Sequence, residues 1–303
     1  MKLIESSVGL IDIDNPFMKI EKVGRTCYKS TSEMTEETAK KFFKNLASRG
    51  HTAMLEHAVF TFQVTERIYG ILRDNKYFNF SVEELDAGGY YERFLVSANL
   101  RAIVESGETA LLSKLYHIDP DLVYANGDYL DPNLEDDCCK IVDIDRIPNI
   151  QEHAYKKHKH LTFHFICDRG VTHEIVRHRP ASYAQESTRY CNYSKDKFGG
   201  EITCIKPADF DNWDVESRAA FYSSTITAET SYLKMLESGR TPQEARAVLP
   251  NALKTEIIMT ANCEEFDHFF DLRSRGTTGA PHPDMKVVAD KALALYEANT
   301  KKF

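Results

Sequence analysis

Arg177-His178-Arg179-Pro180-Ala181-Ser182-Tyr183-Ala184-Gln185-Glu186-Ser187-Thr188-Arg189-Tyr190 is the stretch on which the reading of this chain turns. Its fourteen positions hold three arginines, one histidine, three hydroxyl residues (Ser182, Ser187, Thr188) and two tyrosines. Guanidinium forks match phosphate oxygens two at a time, hydroxyls add donors, and tyrosine faces stack on flat heterocycles. That inventory suits a nucleotide. It suits a solvated, salt-bridged helix end equally well, and composition alone does not choose between them.

The rest of the chain narrows the choice. Its 303 residues carry 38 basic and 46 acidic side chains, a formal −8 that argues against a general nucleic-acid coat. A small anionic ligand stays open, because a phosphate needs only a few arginines in one place. Hydrophobic residues at 42 % and charged residues at 28 % are ordinary globular usage, so disordered and fibrous classes drop out. Mean hydropathy is −0.43, and no run approaches the roughly 18 apolar residues of a membrane span. The N-terminus meets an acid at Glu5 with no long apolar stretch, so no secretory signal is expected and the cytosol is the expected address. Seven cysteines without a CxxC pair support neither a zinc ribbon nor a disulfide framework.

Periodicity places the string among interleaved helices and strands. Ala39, Phe42, Phe43, Leu46 and Ala47 form a buried stripe on a helix over about 36–48, with Thr35 as its cap and Gly50 as its stop. A strand is expected over 59–64. Then come a turn at Gly88-Gly89, a strand at 94–96, a helix over about 102–116 and an acidic stretch, Asp131 to Asp137. A strand over 161–167 leads into a short helix at 172–176. Later, a long helix runs over 216–238 and ends at Gly239, and Thr241-Pro242-Gln243-Glu244 is a capping box with proline at the first helical position. Residues 253–261 look β-like, Asn262 and Glu265 open a helix to about Arg273, and a last helix covers about 284–299. The expected fold is α/β of the α+β type, with a mixed sheet flanked by long helices.

Ordered spacing is more specific than inventory. Arg-His-Arg, seven residues, then Ser187 and Arg189-Tyr190 resembles the signature of the flavin-dependent thymidylate synthases. Gly24-Arg25-Thr26-Cys27-Tyr28 and the Gly50-His51 to Glu56-His57 segment resemble that family's early motifs. Arg246-Ala247-Val248-Leu249-Pro250, Thr260-Ala261-Asn262, Phe269 to Arg273 and His282-Pro283 resemble its C-terminal core. The likeness covers roughly residues 20–65 and 160–300 of what is expected to be a single domain. An insertion of about ninety residues, at about 66–159, separates the two parts.

The resemblance implies reductive methylation of deoxyuridylate (dUMP) to thymidylate. Methylenetetrahydrofolate would give the carbon, NADPH the electrons and bound FAD the hydride relay, at sites shared between subunits of a homotetramer. It implies dUMP contacts at Glu174, Arg177, Gln185, Ser187, Thr188, Arg189 and Arg246, with Arg273 over the pyrimidine as the activating cation. It implies FAD contacts at His51, Arg177, His178, Arg179, Gln185, Asn262, Glu264 and His268. Some positions depart from the family pattern. Ala184-Gln185 puts a neutral amide where a carboxylate is common, and Ala53 replaces a hydroxyl. Glu264 stands where a basic residue is frequent, and a carboxylate cannot grip a phosphate. The stretch from Arg273 to His282 is longer than usual.

Other readings of single residues are weaker. Ser187 has no acid in a suitable arrangement for a nucleophile. Cys191 follows Arg189-Tyr190, which could lower its pKa, but a structural cysteine is the commoner case. His173 and His178 are five apart, roughly 140° around a helix, so they cannot share a zinc. His153, His158, His160 and His164 match no metal spacing, and no metal is expected. A nucleotide-binding sensor without redox chemistry is the alternative function, and an RNA-binding module is disfavoured by the net charge.

Overall fold

A computed structural model of the chain describes residues 1–29, 33–85, 92–125, 138–195 and 199–303. The chain begins with β1 (Lys2–Ile4) and β2 (Ser7–Leu10), then α1 (Pro16–Tyr28) and α2 (Glu36–Ser48). A 3-10 turn over Thr52–His57 leads into β3 (Val59–Val64), α3 (Glu66–Leu72), β4 (Phe78–Glu84) and β5 (Glu92–Asn99). Next come α4 (Leu100–Ser106), α5 (Thr109–Ile118), β6 (Cys139–Ile141), α6 (Glu152–His158) and β7 (His160–Asp168). They are followed by α7 (Arg169–Ile175), β8 (Ser182–Gln185), β9 (Thr203–Ile205) and α8 (Val215–Glu237). The last elements are α9 (Pro242–Ala245), β10 (Lys254–Asn262), α10 (Cys263–Phe270) and α11 (Pro283–Asn299). The expected turn at Gly88-Gly89 and the acidic stretch at 131–137 lie outside the described residues.

Two antiparallel sheets stand where a mixed sheet was expected. One has the order β2-β7-β10-β8 and the other β4-β5-β3-β6. Among the described residues the parallel pairing is β1 with β9, in a separate two-stranded ribbon. The interleaving of helices and strands misled because it says nothing about direction. After α7 the chain does return, and β8 runs in the same direction as β7, but β10 inserts between them and pairs antiparallel with both.

β10 decides where everything else sits. It pairs with β7 from Lys254↔Asp168 to Asn262↔His160 and with β8 from Ile257↔Gln185 to Thr260↔Ser182. Both its faces are covered, so alternate residues enter different cores. Ile257, Met259 and Ala261 pack with Phe163, Phe165 and the phenylalanines of α10, under α7 and α11. Ile258 faces the other way, against Val23 of α1, Ile11 and Ala184.

Helix α1 was not anticipated, although its start signal is plain. Asn15 accepts from the backbone N–H groups of Phe17 and Met18 at 3.0 and 3.1 Å, and Pro16 follows at the first helical position. Gly24 explains its close approach to α2: a Cβ there would fall against the ring of Phe42. The helix expected over 102–116 is two helices, broken where Gly107 adopts φ 69° and the Glu108 side chain caps the second. The helix after Asn262 is regular only to Phe270. A π-helical turn over Asp271–Arg275 follows and aims Arg273 inward. The expected α2, β3, β7, α8, α9, β10 and α11 are all present.

Candidate active site

The decisive string does not form a helix end. Its middle is β8, and alternation sends its side chains to two faces. Tyr183 and Gln185 turn toward α7: the Tyr183 hydroxyl donates to the carbonyls of Ile175 and His178 at 2.9 and 2.6 Å, and the Gln185 amide donates to Thr172 Oγ1 at 3.0 Å. Ser182, Ala184 and Glu186 turn toward α1. Past the strand, Ser187 N–H donates to the carbonyl of Cys27 at 3.2 Å, which pins the loop to the end of α1.

This loop walls a cleft of about 340 Å³. Gln185, Ser187, Thr188, Arg189 and Arg246 all line it, so five of the residues assigned to the substrate come together. Arg246 reaches it from the turn after α9, its Nη1 donating to Thr188 Oγ1 at 3.4 Å. The cleft also contains Arg169, which the sequence reading missed. Its Nη1 is buried without a hydrogen-bond partner. Buried guanidinium nitrogens are costly to leave unpaired. The available signal was its position as the first residue after a strand, at the head of a helix.

Behind the cleft lies a buried charge network that the sequence reading also missed. Lys254 bridges Glu186 at 2.9 Å and Glu256 at 2.7 Å, and Lys29 ion-pairs with Glu256. His164 Nε2 reaches Glu256 Oε2 at 3.0 Å, and the Tyr193 hydroxyl donates to Glu186 at 3.3 Å. Burial alone would raise the Glu256 pKa, but the His164 hydrogen bond and the two lysines hold it well below the usual carboxylate range. Two charges spaced by two along an otherwise apolar strand, Lys254 and Glu256, were the legible sign.

A second cluster forms around Arg273. Its Nε donates to His178 Nε2 at 3.0 Å and its Nη1 ion-pairs with Glu174. The His178 ring lies on Phe269 at 4.9 Å between centroids, with His268 at 6.0 Å. Burial, then the charges of Arg273 and His268, lower the His178 pKa to about 4. It is therefore neutral at pH 7 and can accept from the guanidinium. Glu174, His178, His268 and Arg273 thus come together, but none of them lines the 340 Å³ cleft.

A larger cavity of about 810 Å³ lies between the two antiparallel sheets. Arg179 and Asn262, both assigned to FAD, line it. The Asn262 side chain already caps α10 through Glu265 N–H at 2.9 Å and donates to the carbonyl of Lys157 at 3.1 Å. Glu56 also lines the cavity, held by Arg101 at 2.9 Å and Ser182 at 3.1 Å. Arg177, Glu264 and His51 are exposed and line neither the cleft nor this cavity.

The histidines and cysteines have structural settings. His57 is buried against Thr260 Oγ1 at 2.7 Å, and burial, with Lys19 nearby, lowers its pKa to about 3. His158 is clamped between the hydroxyls of Ser81 and Ser97 at 2.9 and 2.8 Å, with its pKa lowered to about 3 by burial. His160 accepts from Asn79 at 3.4 Å, and burial lowers its pKa to about 4. Among the described residues no group of three or more histidine, cysteine or acidic side chains is placed to hold a metal. Cys191 is 1 % exposed, in a core with Tyr193, Ile202 and Tyr232. Among the described residues no helix is long and apolar enough to cross a membrane.

A cleft lined by arginines and hydroxyls, on an α+β fold, offers the donor chemistry an anion needs. The chain belongs to the thymidylate synthase complementing protein family, whose sequence profile matches residues 9–75 and 143–299. It is 34 % identical over 135 residues to a flavin-dependent thymidylate synthase of Geobacter sulfurreducens, covering 43 % of this chain and 54 % of the relative. It is 36 % identical over 118 residues to the corresponding Pyrococcus furiosus protein, covering 38 % and 47 %. The chain spans about half the length of the curated relatives it matches. A structure of the UMP/dUMP methylase PolB from Streptomyces cacaoi, bound with 5-Br dUMP, aligns over 98 % of this chain and 93 % of its own, at 13 % identity and a TM-score of 0.43.

Proposed function

We propose that this chain is a subunit of a flavin-dependent thymidylate synthase that methylates dUMP. The observation that carries the reading is the cleft. Ser187, Thr188, Arg189, Arg246 and Arg169 line it together, a donor set that matches a nucleotide monophosphate. In the proposed reaction the methylene carbon of methylenetetrahydrofolate bonds to C5 of the pyrimidine and C5 loses its proton. NADPH and a proton supply the reducing equivalents that leave a methyl group and tetrahydrofolate. Bound FAD would relay the hydride.

The residues of this chain hold and polarise. Arg273, fixed by His178 and Glu174, is the proposed cation that favours negative charge at N3 and O4 of the pyrimidine and so enriches C5. Arg273 and the phosphate cleft do not share a pocket within one chain, which supports a site completed by a second copy. Helix α8 supports the same reading. Of its 23 residues only Thr225 and Tyr232 are buried, while Val215, Tyr222 and Ile226 face outward. A homotetramer with shared sites accounts for both features.

The test is a visible absorption spectrum of the purified protein before and after NADPH and dUMP. A flavin band that bleaches, followed by thymidylate formation when methylenetetrahydrofolate is added, supports the reading. Arg273→Ala is expected to retain flavin and lose turnover by about 100-fold or more, the scale of removing one preorganised charge. A colourless protein that binds dUMP but takes up no FAD would instead be the nucleotide sensor.

A further inference from the structure

The sequence profile of the family leaves residues 76–142 unmatched. That stretch nevertheless builds one wall of the 810 Å³ cavity. Lys76 and Tyr77, just before β4, Asn79 on β4 and Arg101 on α4 face Arg179 and Ser182 across it. The charges divide cleanly. Arg101 is held by Glu56 at 2.9 Å and Glu105 at 2.7 Å, so its positive charge is already balanced. Among the described residues lining the cavity, Lys76 and Arg179 are cations with no carboxylate within ion-pair distance. The Lys76 ammonium lies 5.2 Å over the Tyr77 ring, which is itself 64 % exposed.

Such a wall offers a cation beside an open aromatic face, opposite a second cation and a hydroxyl. A ligand with phosphate charge and a flat ring uses every part of it. The volume also falls in the range of cofactor pockets. On the family pattern, a basic residue near position 264 would meet the phosphates, but here that position is Glu264, exposed and outside the cavity.

We propose that the unmatched stretch contributes to the FAD site, with Lys76 holding the diphosphate and Tyr77 stacking on a ring of the dinucleotide. The assignment rests on the flavin reading above. It gives the stretch a binding role: it returns the positive charge that the core lacks at position 264.

The experiment measures FAD affinity of the full chain, stripped of flavin, by quenching of flavin fluorescence, with dUMP affinity measured in parallel by calorimetry. Lys76 and Tyr77 are exposed, so substitutions there do not threaten folding. Lys76→Glu and Tyr77→Ala are each expected to weaken FAD binding about tenfold or more. Lys76→Arg is expected to stay within about threefold of wild type, and all three to bind dUMP as wild type does. FAD binding by Lys76→Glu within about twofold of wild type overturns the proposal while leaving the flavin reading intact. So does a loss confined to NADPH or methylenetetrahydrofolate. A wild-type protein that takes up no FAD overturns both.

Discussion

Replacing Glu256 with glutamine keeps the shape of the side chain and removes one negative charge from behind the cleft. Only 11 % of that side chain is exposed. Without its charge, Lys29 and Lys254 are left to share Glu186, at 3.8 and 2.9 Å, so one buried positive charge loses its compensation. If His164 donates to the amide oxygen, the new NH2 group faces the two ammonium groups. Breaking a fully buried pair costs about 3–5 kcal/mol. Lys29 keeps 22 % of its side chain in water, which relieves part of this, so the lower end, about 3 kcal/mol, is expected. Urea unfolding followed by far-ultraviolet circular dichroism reads the change as a lower midpoint at unchanged slope. Adding Lys29→Met restores balance, because Lys254 and Glu186 then remain as one pair. The double variant is expected to recover at least about 1 kcal/mol relative to the single. The folded-state pKa of Glu256 is depressed, so its contribution is present above the unfolded value of about 4.3 and is lost as pH falls further. The gap between wild type and variant should therefore close in acid. A single variant within about 1 kcal/mol of wild type, or a double variant whose loss equals the sum of the singles, would refute the reasoning.

Two further expectations concern the buried histidines and Cys191. His57, His158, His160 and His178 are held neutral with folded pKa values of about 3 to 4, below the unfolded value. Their stabilisation is complete above about pH 6.5 and is lost below it, each adding about 1.4 kcal/mol per pH unit to the slope. Thermal melts between pH 7.5 and 5 should show a steep fall, and His158→Gln, which can still bond both serines, should flatten it; a slope unchanged in that variant contradicts the assignment. Cys191→Ala should keep turnover and flavin and lose about 1 kcal/mol of stability; a folded, flavin-loaded but inactive variant would make Cys191 part of the chemistry.

Local signals were legible wherever neighbouring residues decide the outcome. Caps and stops placed α2 and α9, and the stripe of Ala39, Phe43 and Leu46 is buried as its spacing requires. Asn15-Pro16 carries an equally plain signal for α1. The gathering of Ser187, Thr188 and Arg189 was also readable, because they share one loop. Arg246 joined them through the family pattern.

What the sequence by itself determined is therefore a set of local structures and a chemical inventory, since caps, periodicity and arginine forks act within a few residues. Only the tertiary structure decided strand direction, the antiparallel partners of β10, the entry of Arg169 into the cleft and the Lys29–Glu256–Lys254–Glu186 network. Lys29 and Glu256 lie far apart along the chain and meet because α1 crosses the face of β10 on which Glu256 projects. Lys76 faces Arg179 across a cavity for a similar reason: two sheets built from distant segments happen to enclose it. Contacts of that kind depend on how elements pack, and residue spacing along the chain carries no record of it.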